Sequence, residues 1–270
     1  MQYIISTVQK TVEGAKRMIT FLTELSRLAG EESLHYFGRI GEGDIEGKAT
    51  SKDLVSIADK AIEKRIVEKI AERFPDHDIF GEETGHRGIK SEYCWVIDPI
   101  DGTQSFVKHH PYYSISIALY KNGQGYAGAV NAPALGKLFT AVSGEGAFEN
   151  GKAIHVSDCT ELGSAACATG FATLRENKVE PAVSRFVRIL PNLRDIKRCG
   201  SAALDLAMTA AGVYDGFWED GLQLYDVAAG AIIVREAGGT VCDYSGGSNY
   251  PANGIVAGPD AIVQKLLKLF

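Results

Sequence analysis

The chain has 270 residues, of which 45% are hydrophobic and 23% charged, a composition ordinary for a globular protein that buries its own core. Its net charge of −6 argues against a general binder of nucleic acid or anionic membranes, because such a protein needs a basic face. An anionic substrate stays compatible with this charge if metal ions supply the positive side of the contact.

The cysteines and the first residues of the chain allow a prediction of the cellular compartment. The 5 cysteines are scattered and form no CxxC pair and no Cys/His zinc spacing, which predicts reduced thiols. The first ten residues lack the pattern of a signal peptide, and no stretch approaches the roughly 18 apolar residues of a membrane span. We therefore expect a soluble, cytoplasmic protein with neither a membrane nor a nucleic-acid partner.

The first elements along the chain are predicted to be two helices. Apolar residues at three- and four-residue spacing indicate a helix over about 7–29 and another over about 53–74, which Pro75 ends. The segment 38–51 between them is rich in glycine and charge and has no periodicity. It is predicted to be a loop.

Strand patterns follow. Short apolar runs at 78–81 and 94–98 indicate strands. Alternating residues within 114–156 indicate hairpins, with Asn122-Gly123 and Asn150-Gly151 as their turns.

After about residue 157, helical and strand patterns alternate. We predict an α+β half over residues 1–157 that carries most of the candidate metal ligands, and an α/β half over residues 158–270 that completes the site. The elements predicted in the second half are helices at about 201–212, 225–237 and 259–270 and strands near 214–219, 240–242 and 255–257.

The sharpest motif is the run Asp98-Pro99-Ile100-Asp101-Gly102-Thr103, which follows an apolar strand. Pro99 is predicted to stop the strand from pairing further, so that the chain turns and Thr103 begins a helix. Two carboxylates three residues apart in such a turn converge on one point. The amides of Gly102 and Thr103 would face the same point, ready to hold an anion. The alternative is a capped Asp-Gly turn without chemical function.

Two more acidic segments strengthen the functional interpretation. Glu82 and Glu83 follow a short strand, and Asp226 begins a helix of small residues. Each has a simpler alternative, a solvated acidic pair in one case and a helix N-cap in the other. Three acidic clusters at strand ends or helix starts are, however, what a multi-carboxylate site for Mg²⁺ requires.

Taken in order, these motifs resemble the inositol monophosphatase family of Mg²⁺-dependent, lithium-sensitive sugar phosphatases. The resemblance covers nearly the whole chain, and it implies a layered αβαβα sandwich that combines α+β and α/β character. The segments that carry it are Lys52–Val55 with Asp59, Gly81–Glu83, Asp98–Thr103, Gly144–Phe148 with Asn150-Gly151, Gly200–Ala203, Asp226–Gly230 and Glu236–Gly239.

The resemblance implies a set of metal ligands. One Mg²⁺ would be held by Glu82, Asp98 and the carbonyl of Ile100. A second would be held by Asp98, Asp101 and Asp226, with Asp98 bridging the two ions. A third ion would rely on Glu82 and waters, so two to three ions are expected. Clustered carboxylates repel one another unless cations neutralise them, which agrees with this assignment.

The resemblance also implies catalytic and substrate-binding residues. Thr103 and Glu82 would orient the attacking water, and Asp59 would support Thr103 through a hydrogen bond. Glu219 would bind substrate hydroxyls, with an ordinary acid at a strand end as the alternative. Lys48 would lie near the active-site loop, with a solvated lysine as the alternative. The expected substrate contacts are Asp101, Gly102, Thr103, Gly200, Ser201, Ala202, Glu219 and Asp226.

The substrate stays open at this point. The leading hypothesis is hydrolysis of inositol 1-phosphate or a similar polyol or sugar phosphate. Fructose 1,6-bisphosphate, histidinol phosphate and 3′-phosphoadenosine 5′-phosphate are alternatives. A second phosphate could be met by Arg194, Lys197 and Arg198, for which an ordinary basic surface is the alternative. A non-catalytic regulatory binding protein is the alternative from another class. A homodimer is expected from the resemblance.

Overall fold

The structure is a computed structural model that describes residues 2–47 and 54–270. Lys48 and the motif residues Lys52 and Asp53 lie outside the described residues. Within the described ranges, no helix combines the length and apolar character needed to cross a bilayer. The helices are α1 (Gln2–Tyr36), α2 (Ile57–Arg73), α3 (Thr103–Val107), α4 (Ala182–Ile189), α5 (Ala202–Ala210), α6 (Leu224–Glu236) and α7 (Asp260–Leu267).

The strands form one short ribbon and two larger sheets. The ribbon pairs β1 (Ile45–Gly47) with β2 (Leu54–Ser56). The 8-stranded sheet contains β3 (Asp78–Gly81), β4 (Gly85–His86), β5 (Tyr93–Asp101), β6 (Ser114–Lys121), β7 (Gln124–Ala132), β8 (Lys137–Val142), β9 (Ala147–Glu149) and β10 (Lys152–Ile154). The 5-stranded sheet contains β11 (Ala166–Thr169), β12 (Asp195–Lys197), β13 (Gly216–Glu219), β14 (Thr240–Cys242) and β15 (Ile255–Gly258).

The 8-stranded sheet has the order β10-β9-β8-β7-β6-β5-β3-β4. From β5 to β10 it is an antiparallel meander, while β3 runs parallel to β5. Both predicted hairpin turns are confirmed. Asn122 (φ 50°) and Gly123 (φ 75°) are both left-handed, as are Asn150 (φ 48°) and Gly151 (φ 79°), which is the backbone conformation that tight hairpins demand.

The 5-stranded sheet has the order β12-β11-β13-β15-β14. Its first three strands are parallel, and β15 is antiparallel to both of its neighbours.

Helices cover both faces of both sheets. On the outer face of the 8-stranded sheet, α1 and α2 share a core with the strands through Leu22, Leu25, Ile62, Ile66, Trp95 and Ile97. Between the sheets, α5 and α6 share a core with strands of both sheets through Val96, Ala118, Leu206, Val227, Ile233, Phe217 and Ile255. On the far face of the 5-stranded sheet, α4 and α7 pack through Ile189, Ile262, Val263, Leu266 and Trp218. The αβαβα sandwich is therefore confirmed.

Pro99 does not end strand pairing, so that prediction is wrong. Strand β5 continues through Pro99 to Asp101, with a shift of register against β6 between Asp98 and Asp101. Such an irregularity leaves residues outside the ladder, which removes the need for the N–H that proline lacks.

The predicted loop 38–51 and the start of α2 also differ. The loop contains β1, a strand of 3 residues that is too short to show periodicity. Helix α2 begins at Ile57 instead of about residue 53 because Ser56 caps it. The Ser56 N–H donates to Asp59 Oδ2 at 2.8 Å, and its Oγ accepts from Ala58 N–H at 3.2 Å.

The two sheets use different parts of the chain. The 8-stranded sheet ends at Ile154, and the 5-stranded sheet begins at Ala166. Helices α5 and α6 nevertheless bury side chains against both sheets in one core. The division into halves at residue 157 therefore stays a prediction.

The close contact between helices α5 and α6 provides a test of how the core between the two sheets is packed. A Cβ on Gly230 of α6 would lie 2.6 Å from Leu206 Cβ, whereas one on Gly14 of α1 would meet nothing within 4 Å. We expect Gly230→Ala to lower the free energy of unfolding by about 1–3 kcal/mol through overpacking. The control Gly14→Ala should raise it by up to about 1 kcal/mol through helix propensity. Denaturant unfolding measures both, and a Gly230→Ala protein as stable as wild type would contradict the packing.

Candidate metal centre

The register shift in β5 brings two carboxylates to one place. In a regular strand, residues three apart point to opposite faces. The irregularity between Asp98 and Asp101 removes this alternation, and carboxylate oxygens of the two residues lie within 4.8 Å of each other. The N–H of Ile100 donates to Asp98 Oδ1 at 3.0 Å, which fixes the turn of the chain between them.

The start of α5 holds Asp101. The hydroxyl of Ser201 donates to Asp101 Oδ2 at 2.6 Å, and the N–H of Ala203 donates to the same oxygen at 2.7 Å. Ser201 is also the N-cap of α5 and lies 3.0 Å from the hydroxyl of Ser114 on β6. The segment that contains Gly200, Ser201 and Ala202 is thereby tied to the end of β5.

The start of α6 supplies the third carboxylate. Asp226 lies in the first turn of α6, where its Oδ2 accepts from Gln223 N–H at 2.5 Å. Small residues follow it, so α6 fits closely between the sheets. One oxygen each of Asp98, Asp101 and Asp226 lies within 4.8 Å of the others, and the three residues are only 1%, 4% and 2% exposed.

Electrostatics in this cluster favour a bound cation. Burial raises the pKa of Asp101 to about 6 and that of Asp226 to about 7. Burial, with the neighbouring charges of Glu82, Asp101 and Asp226, raises the pKa of Asp98 well above its ordinary value. Oxygen ligands without sulfur or imidazole suit a hard ion such as Mg²⁺. The residues present therefore fit the implied magnesium.

Glu82 joins the same cavity from β3. Its N–H donates to the carbonyl of Ile97 at 3.1 Å, which aligns the end of β3 with β5. The following turn is held by Glu63 of α2, whose carboxylate accepts from the N–H of Glu83 at 2.9 Å and from that of Thr84 at 2.8 Å. Glu63 is fully buried and packs against Gly81, where a Cβ would lie 2.3 Å from Glu63 Oε1. Glu83 thus contributes its backbone to the turn.

Thr103 lies beside Ile100 and Asp59 at the start of α3. The hydroxyl of Thr103 lies 3.2 Å from the carbonyl oxygen of Ile100 and 3.4 Å from Asp59 Oδ1. The other Asp59 oxygen accepts from the N–H and hydroxyl of Ser56. Burial raises the pKa of Asp59 to about 7. Asp59 lies behind Thr103, among the residues that fix its hydroxyl.

One cavity of about 270 Å³ collects nearly all of the predicted site. Gly102 lines it in the left-handed conformation (φ 93°), and a Cβ there would lie 2.9 Å from the carbonyl oxygen of Gly200. The predicted residues that line the cavity are Glu82, Asp98, Ile100, Asp101, Gly102, Thr103, Gly200, Ser201, Ala202, Glu219 and Asp226. Asp59 is not among the lining residues.

Glu219 ends β13 and borders the cavity from the second sheet. Its Oε1 accepts from the N–H of Ala172 at 2.9 Å. It packs against Gly170, where a Cβ would lie 2.3 Å from Glu219 Oε1. Burial raises the pKa of Glu219 to about 8. Glu219 therefore adds a further acidic side chain to the cavity that contains Asp98, Asp101 and Asp226.

Sequence reasoning missed Arg175 and Asp205, which also line the cavity. Burial alone would lower the pKa of Arg175, but the nearby Asp226, Asp101 and other acids raise it overall. Asp205 accepts a hydrogen bond from the hydroxyl of Tyr112 at 2.7 Å, and burial raises its pKa to about 8. A lone acid in the apolar run of α5 was a signal for Asp205. Arg175 lies in a short 3₁₀-helix (Ala172–Glu176) that carries no sequence signal.

The fold and the site together define a layered protein with a buried carboxylate centre at the junction of its two sheets. A family model described as the inositol monophosphatase family matches residues 15–270. The chain belongs to the inositol monophosphatase family. The resemblance read from the motifs is thereby confirmed, and members of this family depend in general on Mg²⁺.

Individual relatives agree with this assignment. The "Nus factor SuhB" of Pasteurella multocida is 39% identical over 252 residues, which are 93% of this chain and 94% of that protein. A "Fructose-1,6-bisphosphatase/inositol-1-monophosphatase" of Aquifex aeolicus is 36% identical over 259 residues, 96% of this chain and 97% of that protein. The solved structure of an IMPase from Thermotoga maritima superposes with a TM-score of 0.85 at 35% identity, covering 94% of this chain and 96% of that one.

The raised carboxyl pKa values predict how stability varies with pH without metal. The folded state holds protons at Asp101 and Asp226 up to pH about 6 and about 7, whereas their ordinary value is 3.8. The unfolded chain therefore releases these protons first, and stability is lost as the pH rises from about 4 to about 7. In chelator, we expect the thermal unfolding midpoint to fall over this window, and Mg²⁺ to restore it at neutral pH.

A matched pair of variants assigns this effect to the cluster. Asp226→Asn removes one buried carboxylate. It should therefore reduce the loss of unfolding free energy with rising pH by up to roughly 1.4 kcal/mol per pH unit. Asp195→Asn removes an acid that is exposed in β12 and should leave the fall unchanged. A fall of equal size in wild type and Asp226→Asn would contradict the assignment of the pH effect to this buried carboxylate.

Proposed function

We propose that the protein is a Mg²⁺-dependent phosphomonoesterase that hydrolyses inositol 1-phosphate or a similar small polyol or sugar phosphate. The observation that carries this proposal is the convergence of three buried carboxylates in one cavity, with Glu219 bordering the same space. The carboxylates would hold Mg²⁺, which would supply positive charge for the phosphate, and Glu219 suits the hydroxyl groups of a polyol.

The chain supplies ligands for two to three ions. We assign Glu82, Asp98 and the carbonyl of Ile100 to one ion. Asp98, Asp101 and Asp226 are assigned to the second, and a third ion would rely on Glu82 and waters. Bound Mg²⁺ would supply positive charge for the phosphate and acidify the attacking water.

Thr103 and Glu82 orient the water in this proposal. The Thr103 hydroxyl is directed by the Ile100 carbonyl and by Asp59, so its lone pairs are available towards the cavity. Glu82 supplies a carboxylate oxygen in the same cavity that would accept a hydrogen bond from the water. The role of Asp59 is to hold the Thr103 hydroxyl in this orientation.

Phosphate binding uses backbone groups. We place the phosphate against the amides of Gly102 and Thr103, beside Asp101 and Asp226. Since α3 is a helix of only 5 residues, these amides act as individual donors more than through a helix dipole. No cysteine lines the cavity among the described residues. Direct attack by water accounts for hydrolysis without a covalent intermediate.

Glu219 and the segment Gly200–Ala202 are assigned to the polyol. Glu219 offers one carboxylate oxygen beyond the one that accepts from Ala172 N–H, and it lies in a buried, polar part of the cavity. Buried acceptors of this kind discriminate strongly for substrates with a hydroxyl in reach. This favours a polyol ring over a phosphate on an apolar group.

A bisphosphate is the second candidate substrate. Arg198 lines the cavity beside Gly200, where a Cβ would lie 3.0 Å from Arg198 Nη1. Its guanidinium suits a second phosphate. The name of the Aquifex relative, which includes fructose-1,6-bisphosphatase, agrees with this possibility.

A non-catalytic or regulatory function is the candidate from another class. The Pasteurella relative bears the name Nus factor, which is not the name of a phosphatase. Retention of the complete carboxylate set in this chain favours catalysis. The expectations of a homodimer, a cytoplasmic location and the absence of a nucleic-acid partner stay predictions.

Phosphate release tests the proposal. The panel consists of inositol 1-phosphate, fructose 1,6-bisphosphate, histidinol phosphate and 3′-phosphoadenosine 5′-phosphate, each with Mg²⁺ and with chelator. We expect Mg²⁺-dependent release, greatest for inositol 1-phosphate. Greatest release from a bisphosphate would move the assignment to the second candidate. No release from any compound by Mg²⁺-loaded protein would contradict the phosphatase.

The orientation of Thr103 generates a mutational prediction. Thr103→Val keeps the shape of the side chain but removes its hydroxyl, so kcat should fall roughly 10²-fold, the size expected when a reacting group is no longer held in position. Thr103→Ser keeps the hydroxyl and should retain most of the activity. Mg²⁺ binding by calorimetry should be similar in both. Equal activity in the two variants would contradict a function for this hydroxyl.

A further inference from the structure

A second group of potential metal ligands lies at the edge of the larger sheet. It consists of Asp78 on β3, His86 on β4 and Cys94 on β5, and one ligand atom of each lies within 4.8 Å of the others. None of these residues lines the carboxylate cavity. Asp78, His86 and Cys94 do not form a Cys/His zinc motif in the sequence, so the sequence alone indicated no zinc site.

Sheet register brings the three side chains to one face. Asp78 is the direct partner of Cys94 in the parallel β3–β5 pair. Phe80, two residues after Asp78, is the partner of His86 in the antiparallel β3–β4 pair. Because side chains two apart on a strand share a face, Asp78, Phe80, His86 and Cys94 all project from the same side.

The Asp78 carboxylate is already oriented as a ligand. Its Oδ1 accepts from the backbone N–H groups of Ile79, Gly88 and Ile89 at 2.9, 3.0 and 3.1 Å. This leaves Oδ2 directed at His86 Nδ1, 3.7 Å away. Hydrogen bonds of this kind to a ligating carboxylate fix its position before an ion arrives.

His86 and Cys94 differ in access. The His86 side chain is 62% exposed, and its ring stacks on Phe80 with centroids 4.3 Å apart. Cys94 is a free, half-buried thiol whose Sγ lies 3.7 Å from the carbonyl oxygen of Trp95. The exposed side gives an ion a path of entry and leaves room for water as a fourth ligand.

We propose that Asp78, His86 and Cys94 bind a Zn²⁺-type ion at a site separate from the carboxylate centre. Thiolate, imidazole and carboxylate together suit borderline-soft ions such as Zn²⁺ and Co²⁺, in contrast to the oxygen-only centre that suits Mg²⁺. Zinc bonds of about 2.0–2.3 Å require the three ligand atoms to lie closer together than the 4.8 Å within which they now lie. The exposed His86 ring can turn to meet this requirement.

A bound zinc ion would restrain the segment 78–86, which carries Glu82. Asp78 lies four residues before Glu82 and His86 four residues after it, so one ion would fasten both ends of this segment to β5. Glu63 already holds the middle of the same segment through Glu83 and Thr84. Zinc would thereby stabilise the edge of the sheet next to the carboxylate centre.

Cobalt provides a direct readout. The full chain is kept reduced and saturated with Mg²⁺, so that the carboxylate centre is filled, and is then titrated with Co²⁺. We expect a thiolate-to-cobalt charge-transfer band that saturates at one equivalent and disappears on addition of Zn²⁺. Cys94→Ser should abolish the band, and His86→Ala should weaken Co²⁺ binding at least about 10-fold.

Cys159→Ser is the matched control, because Cys159 is another partly exposed free thiol that lies in a loop. It should keep the band. Circular dichroism and Mg²⁺-dependent activity confirm that each variant is folded. Absence of the band in wild type, its persistence in Cys94→Ser or its loss in Cys159→Ser would each overturn the proposal.

Discussion

The burial of three neighbouring carboxylates is the constraint on which the rest of the site depends. Asp98, Asp101 and Asp226 share a space from which water is largely excluded, and each raises the pKa of its neighbours or has its own raised by burial. Such a cluster is unfavourable in the folded protein unless it is protonated or neutralised by cations. Metal binding and the stability of this region are therefore linked.

The fold positions these charges from rigid elements. The irregularity in β5 places Asp98 and Asp101 together, the first turn of α5 holds Asp101, and the first turn of α6 presents Asp226. Since α5 and α6 lie between the sheets, the centre forms where both sheets meet the middle layer. Buried Glu63 holds the turn after Glu82 in the same way, so hydrogen bonds to backbone amides organise most of the site.

Local patterns predicted the long helices and the Asn-Gly hairpins, because periodicity and turn chemistry are local properties, whereas the order of the layers was implied by the family resemblance. The acidic motifs and the family resemblance together located the carboxylates Glu82, Asp98, Asp101, Glu219 and Asp226, but only about half of the residues that line the cavity. Three features were not predicted, because they depend on contacts between distant segments of the chain. These are the continuation of β5 through Pro99, the burial of Glu63 against Gly81, and the approach of Arg175 to the acids. Burial and sheet register, which join residues distant in sequence, decide these features.

The most direct test of the account is to locate the ions. Mn²⁺ prefers the same oxygen ligands as Mg²⁺ and scatters anomalously, so crystals grown with Mn²⁺ report its position. The account predicts anomalous peaks within bonding distance of Asp98, one of them shared with Asp101 and Asp226. Crystals that diffract well and show Mn²⁺ elsewhere but no peak at these three carboxylates would contradict a metal centre built on them.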